Sequence, residues 1–305
     1  MINMNITFNN VNKKYGRKQA LQDINITIPE GKIYGFIGAN GAGKTTAMKI
    51  LTGLTPASSG TVTFDGKELN QLENKAKAFG AFISTPTYYE NLTAYENLAI
   101  IQDVLEESKD EIDRVLEIVG LTDAKNKTIA EYSFGMKQRL GLAFSFLNDP
   151  DILILDEPTN GLDPKGIVEI RELLYSLSKE QGKTIFISSH NISELESIAD
   201  MIGIIQNGQL IFEGELDELY ASGESSYLLE VDNIEQTESV LSKEAISFTN
   251  KEHKFQIKSS KQRIPEVISA LMTHDIDIFE ITPNKNLERI FLDLTDGDDG
   301  HVDTH

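Results

Sequence analysis

Gly38 to Thr46 reads GANGAGKTT. The pattern is a glycine, four residues, then Gly-Lys-Thr. It stands between an apolar run, KIYGFIG (Lys32 to Gly38), and a helical pattern, AMKILTGL (Ala47 to Leu54). Strand, glycine turn and helix in that order make a phosphate-binding loop and predict an α/β fold. Gly41 and Gly43 let backbone N–H groups turn inward around a polyphosphate. The helix N-terminus adds its partial positive charge. Lys44 reaches the β- and γ-phosphates, and the Thr45 hydroxyl can ligate Mg²⁺. Gly38, Asn40 and Thr46 complete the nucleotide-binding stretch.

Four further segments support this loop. ILILDEP (Ile152 to Pro158) is a wholly apolar strand that ends in two carboxylates. Asp156 falls at the C-terminal end of that strand, where α/β sheets place ligand contacts. It can hold Mg²⁺, and Glu157 beside it is placed to polarise an attacking water. In EYSFGMKQRL (Glu131 to Leu140), Ser133 and Gly135 lie just before a helix. Both an ordinary helix cap and a second phosphate site at a helix N-terminus fit them. GLDP (Gly161 to Pro164) and the lone His190 in FISSHN complete the set. His190 again follows a strand, on the edge where the phosphate loop and Asp156 converge.

The chain has 305 residues, enough for one large domain or two ordinary ones. Lys and Arg number 28 against 48 Asp and Glu, a formal net charge of −20. That balance argues against nucleic acid as a partner, because binding it requires cations to displace counterions from phosphates. Cysteine is absent, which removes disulfides and thiol chemistry. The first residues show no signal peptide, and no apolar window reaches the ~20 residues needed to span a bilayer.

The first ~80 residues read as strands, with alternation in Met4–Phe8, Ile24–Ile28 and Thr61–Gly66. From about Leu92 to Asn148 the period becomes helical. Strands then alternate with helices: Ile152–Leu155, a helix over Pro164–Glu180, Thr184–Ser188, a helix over Ile192–Ala199, and a hairpin at Asn207-Gly208. After a linker, GESS (Gly223 to Ser226), the order is strand Tyr227–Val231, helix Glu235–Lys243, strand Ile246–Thr249, strand Lys254–Lys258, helix Ile264–Met272 and strand Asp277–Ile281. That β-α-β-β-α-β order fits a ferredoxin-like unit. A last amphipathic helix, NLERIFLDL, precedes an acidic tail that fails the calcium-loop pattern and reads as disordered.

In chain order the five motifs run phosphate loop, Ser133–Met136, Asp156-Glu157, GLDP and His190, and they resemble the nucleotide-binding subunit of an ATP-binding-cassette (ABC) transporter over about residues 3–220. The resemblance implies a P-loop NTPase cassette in residues 1–222, with a mixed-sheet core, an antiparallel β subdomain and a helical subdomain at about 87–150. Residues 223–295 then form a small α+β accessory domain, and 296–305 the tail. It implies ATP and Mg²⁺ as cofactors and ATP hydrolysis as the activity. Tyr15 matches the aromatic that stacks on adenine, and Ser133 to Met136 match the signature that binds the γ-phosphate of the opposite subunit. Glu157 matches the general base, Asp163 the loop that crosses the dimer interface, and His190 the residue that touches the γ-phosphate.

Two departures stand out. The signature is YSFGM where the family commonly has Leu-Ser-Gly-Gly-Gln. At the magnesium-sensing position, usually Gln, the chain has Ser84, which can reach the metal only through a bridging water. FGAFISTP, YYENLTAYENL and NLERIFLDLT look like the bacitracin- and lantibiotic-type peptide exporters. That likeness implies a separate multi-helix membrane permease and a second ABC ATPase subunit, as homodimer or heterodimer. It also implies a peripheral place on the cytoplasmic face of the membrane. The loop Pro86–Leu98, with Tyr88, Tyr89 and Tyr95, is where such a partner would dock, or where the aromatics pack on the helical subdomain. The rival readings are a soluble cassette ATPase of a cytosolic assembly complex, a weakly hydrolysing regulatory module, and a P-loop kinase. The kinase leaves the signature and His190 unexplained.

Overall fold

The computed structural model describes residues 5–68, 71–72, 78–84, 87–105, 108, 110–222, 226–251, 254–284 and 287–296. Parts of the GESS linker, Pro86 of the aromatic loop and the tail beyond 296 lie outside the described residues. The chain divides into two compact units, Met1–Leu216 and Asp217–His305.

The first unit contains two sheets among its described residues. Strands β1 (Ile6–Tyr15), β2 (Lys18–Ile28), β4 (Ser59–Phe64) and β5 (Lys67–Glu68) form an antiparallel sheet in the order β2-β1-β4-β5. The other sheet has six strands. They are β3 (Ile33–Ile37), β6 (Phe79–Phe82), β7 (Ile152–Asp156), β8 (Thr184–Ser189), β9 (Met201–Gln206) and β10 (Gln209–Glu215). Its order is β10-β9-β3-β8-β7-β6, parallel throughout except for the β9–β10 hairpin. This is the mixed sheet and antiparallel sheet expected of the cassette.

Apolar periodicity explains which strands lie deepest. Every residue of β3, β7 and β8 is buried, as continuous apolar runs in a parallel sheet require. The alternating strands β1 and β2 bury one face against them: Ile6, Phe8, Leu21, Ile24, Ile26 and Ile28 share a core with Phe36, Ile154 and Phe186. Phe186 is its hub, with Phe8, Tyr34 and Phe36 ring centroids at 6.3, 5.7 and 5.4 Å. Each such buried ring contributes about 1.5–3 kcal/mol. Helix α1 (Lys44–Leu51) adds Ala47, Met48 and Leu51 to the same core, which anchors the phosphate loop rigidly.

The helical stretch holds α2 (Ala94–Leu105), α3 (Asp110–Ile118) and α4 (Phe134–Phe146). Helix α4 lies backbone to backbone on β6. A Cβ on Gly80 would stand 1.7 Å from the Ser145 carbonyl oxygen, and one on Gly141 2.3 Å from the Phe82 ring. Helices α5 (Pro164–Lys179) and α6 (Ile192–Leu195) follow β7 and β8, and α7 (Leu216–Ser222) follows β10.

Several element boundaries differ from expectation. Strands β1 and β2 extend inward to a tight turn, with Tyr15 paired to Lys18, because ladder hydrogen bonds continue through polar residues that carry no alternation. Strand β6 lacked a clear pattern of its own and owes its place to pairing with β7. The helix expected over Ile192–Ala199 stops at Leu195, and the chain turns to bring Asp200 Oδ2 to the Ile33 amide at 2.9 Å.

The second unit runs β11 (Ser226–Val231), α8 (Ile234–Lys243), β12 (Ser247–Lys251), β13 (Lys254–Lys258), α9 (Ile264–Thr273), β14 (Ile278–Pro283) and α10 (Leu287–Asp296). Its sheet order is β12-β13-β11-β14 with antiparallel neighbours. Leu229, Leu241, Phe255, Ile257 and Leu271 form its own core.

Candidate active site

The phosphate loop leaves β3 at Gly38 and enters α1 at Lys44. Two glycines make the turn possible. Gly41 has φ +84 and Gly43 φ +124, conformations that residues with a Cβ rarely adopt. A Cβ on Gly43 would also press on Leu21 at 2.7 Å. The loop wraps the Lys44 side chain, which is buried. Its Nζ donates to the Gly38 carbonyl at 2.6 Å and the Ala39 carbonyl at 3.3 Å.

At the end of β7 the two carboxylates part. Asp156 turns toward α1, where Thr45 Oγ1 donates to its Oδ2 at 2.7 Å. Glu157 faces the loop, with Oε1 3.1 Å from Lys44 Nζ, a charge contact without hydrogen-bond alignment, and Oε2 2.7 Å from His190 Nδ1. With Glu157 ionised, Nδ1 carries the proton of that bond. Glu157 sits at φ +51, a left-handed conformation that costs about 1–3 kcal/mol and persists only where its surroundings impose it. Its amide donates to Ser188 Oγ at 3.0 Å, and Gln138 Nε2 donates to the Glu157 and Pro158 carbonyls at 3.3 and 3.2 Å.

A cleft of about 310 Å³ lies over the loop, lined by Tyr15, Lys18, Ala20, Asn40, Gly41, Gly43, Lys44, Thr45, Thr46 and Glu157. Tyr15 is half exposed, and Lys13 Nζ sits 4.8 Å from its ring centroid. This leaves ring surface for stacking.

The donor set fits a magnesium nucleotide. Thr45 and Asp156 present two hard oxygens 2.7 Å apart, the ligand type Mg²⁺ takes alongside phosphates. The loop amides and Lys44 fit the phosphates themselves.

Other expected residues stand elsewhere. Ser133 caps α4 by accepting from the Met136 amide at 3.3 Å, and Asp163 caps α5 by accepting from the Gly166 amide at 3.0 Å. Their loops touch. A Cβ on Gly161 would meet the Phe134 ring at 2.2 Å, and one on Gly135 would lie 3.5 Å from Leu162. Ser84 follows β6 at φ +63, exposed and outside the residues that line the cleft. Of the aromatic loop, Tyr88 packs inward. It stacks on Phe144 at 6.0 Å and donates to the Lys137 carbonyl at 2.7 Å, and burial pushes its phenol pKa well up. Tyr95 is half-buried, so of the three tyrosines Tyr89 alone is exposed.

Comparison with known proteins identifies the family. The ABC transporter family profile matches residues 21–160. The chain is 40% identical over 293 residues to the bacitracin transport ATP-binding protein BcrA of Enterococcus faecalis, covering 94% of this chain and 95% of that one. The chain belongs to the ABC transporter ATP-binding family. The lantibiotic transport ATP-binding protein SrtF of Streptococcus pyogenes is 47% identical over 208 residues, 68% of this chain and 90% of its own. The dimeric, post-hydrolysis structure of the ATP-binding cassette MJ0796, bound to ADP and Pi, matches with TM-score 0.63 at 27% identity, covering 69% of this chain and 98% of that one. As an ABC ATPase the chain is a nucleotide-binding, ATP-hydrolysing transporter subunit.

Motif reading passed over Gln138, Ser188 and Lys18. Ser188 was visible as a polar residue inside the apolar strand TIFIS, and Lys18 as part of the basic run KKYGRK. Gln138 gave no signal, because which helix face meets the β7 loop is a tertiary fact.

Proposed function

We propose that this ABC ATPase powers export of peptides or peptide antibiotics through a separate multi-helix membrane permease, to which it binds on the cytoplasmic face. The observation that carries this reading is the near end-to-end similarity to a bacitracin transport ATP-binding protein. No helix among the described residues is long and apolar enough to cross a membrane, so the pore is assigned to a partner.

In this reading two cassettes, as homodimer or heterodimer, close head to tail on two ATP molecules. Tyr15 stacks on adenine. The loop amides and Lys44 hold the phosphates and offset charge on the transferring phosphoryl group. Thr45 and Asp156 would hold Mg²⁺, which when bound supplies further neutralisation of phosphate charge. Ser84 approaches the same place only through water. Glu157 takes the proton of the attacking water as its oxygen bonds to the γ-phosphorus and ADP leaves. His190 holds the γ-phosphate. Ser133 and Gly135, at the N-terminus of α4, bind the γ-phosphate carried by the opposite cassette, and Asp163 crosses between cassettes. Residues 1–222 form the ATPase domain. Residues 223–295 form a ferredoxin-like accessory domain that regulates or steadies the dimer.

Affinity purification from detergent-solubilised membranes of the native host, with mass spectrometry, tests the reading. A stoichiometric multi-helix membrane protein is the expected companion. Recovery solely from the soluble fraction with cytosolic partners overturns it. Ser84 favours one second reading, a weakly hydrolysing regulatory module, which steady-state ATPase rates separate from the first.

A further inference from the structure

Ser188 is wholly buried at the end of β8, directly across the parallel ladder from Asp156. The three residues before it on the strand, Ile185, Phe186 and Ile187, are apolar core residues, and the buried Ser189 after it spends its own hydroxyl on Glu194 Oε2 at 3.1 Å. A hydroxyl among them needs partners, and it has two. It donates to Asp156 Oδ1 at 2.6 Å and accepts from the Glu157 amide at 3.0 Å. Its one proton thus goes to one carboxylate, and a lone pair goes to the backbone of the other. Asp156 Oδ1 is thereby engaged, which leaves Oδ2 turned to Thr45. The Glu157 backbone, at φ +51, is held by its amide on Ser188 and its carbonyl on Gln138.

We propose that Ser188 is a positioning residue whose single buried hydroxyl sets Asp156 and Glu157 in mutual register, so that the metal-holding and water-activating carboxylates are aligned together. It rests on the roles given to Asp156 and Glu157 above. The hydroxyl on Oδ1 keeps Oδ2 turned to Thr45, where the two oxygens would hold a cation together. The Glu157 side chain leaves its backbone toward Lys44 and His190 only while the left-handed turn is kept.

The test uses the full-length chain and four variants: Ser188→Ala, Ser188→Thr, Ser188→Val and, in parallel, Glu157→Gln. Two readouts are taken. One is steady-state kcat and KM for ATP in excess Mg²⁺. The other is the rise in unfolding midpoint with ADP plus Mg²⁺ over ADP plus EDTA. Ser188→Ala is expected to lower kcat about 10–100-fold, the usual cost of losing a group that orients a metal-site ligand. KM should change less than about threefold, because the phosphate loop is untouched. The Mg²⁺-dependent rise should shrink, while the nucleotide-free midpoint stays within a few degrees of the parent. Ser188→Thr keeps the hydroxyl and should recover much of the rate. Ser188→Val has the same shape without it and should not. Equal rates for Thr and Val, or a Ser188→Ala kcat within about twofold of the parent, overturn the proposal. Turnover in Glu157→Gln overturns the role of Glu157 instead. A parent midpoint indifferent to Mg²⁺ removes the metal half of the reading, and this proposal with it.

Discussion

Glu157 is the residue on which most of the site converges. Its oxygens lie against Lys44 and His190, and its backbone is held in a left-handed turn by Ser188 and Gln138. A base that takes a proton from water cannot be replaced by an amide of the same shape. Glu157→Gln is therefore expected to lose turnover by about 10²-fold or more while ATP still binds, checked by phosphate release and by nucleotide binding. Normal hydrolysis in that variant removes Glu157 from the base role. Ser84 supplies the converse test. Its side chain is short and exposed. If that shortness limits the rate, Ser84→Gln raises ATPase activity measured without a membrane partner, and an unchanged rate sinks the idea.

Between elements, backbone approach and one ion cluster do much of the fitting. Helix α4 meets β6 where Gly80 has no Cβ, and an added methyl would collide with the Ser145 carbonyl oxygen. Backbone cannot swing aside as a side chain can. Gly80→Ala should cost about 1–3 kcal/mol or more of stability, read as a drop in urea midpoint with unchanged slope. Asp200 ties three elements together. Burial opposes its ionisation, but the Lys179 ammonium at 2.5 and 2.6 Å and the Ile33 amide more than offset this and hold its carboxyl below the usual range. A carboxyl depressed in the fold stabilises above its unfolded pKa of about 3.9, and that contribution is lost as pH falls through the folded value. Asp200→Asn should therefore lower the unfolding midpoint at neutral pH. The gap to the parent should close on acidification below the carboxylate range. A gap that stays constant with pH contradicts the argument.

At the scale of the whole molecule, the proposed head-to-tail dimer makes the site on one chain half of a composite. Ser133 and Gly135 stand beside the Gly161–Asp163 loop rather than in the cleft over Lys44. Their proposed phosphate contact therefore requires a second cassette. Glu157→Gln with ATP should sediment at twice the mass of the chain and return to monomer when ATP is removed. A monomer under both conditions counts against the head-to-tail dimer. Much of this architecture was legible in the residues. The phosphate loop, the Asp156-Glu157 strand end and the strand–helix alternation are local patterns, set by glycine conformation, apolar period and charge, and each could be read in place. What tertiary structure alone decided is what those patterns meet. Strand β6 is a strand because β7 pairs with it, and Tyr88 is withdrawn from the surface because Phe144 lies beneath it. Ser188 reaches both carboxylates because the parallel register sets it opposite Asp156. Contacts between residues more than thirty positions apart leave no period in the chain, because they arise only when the sheet assembles.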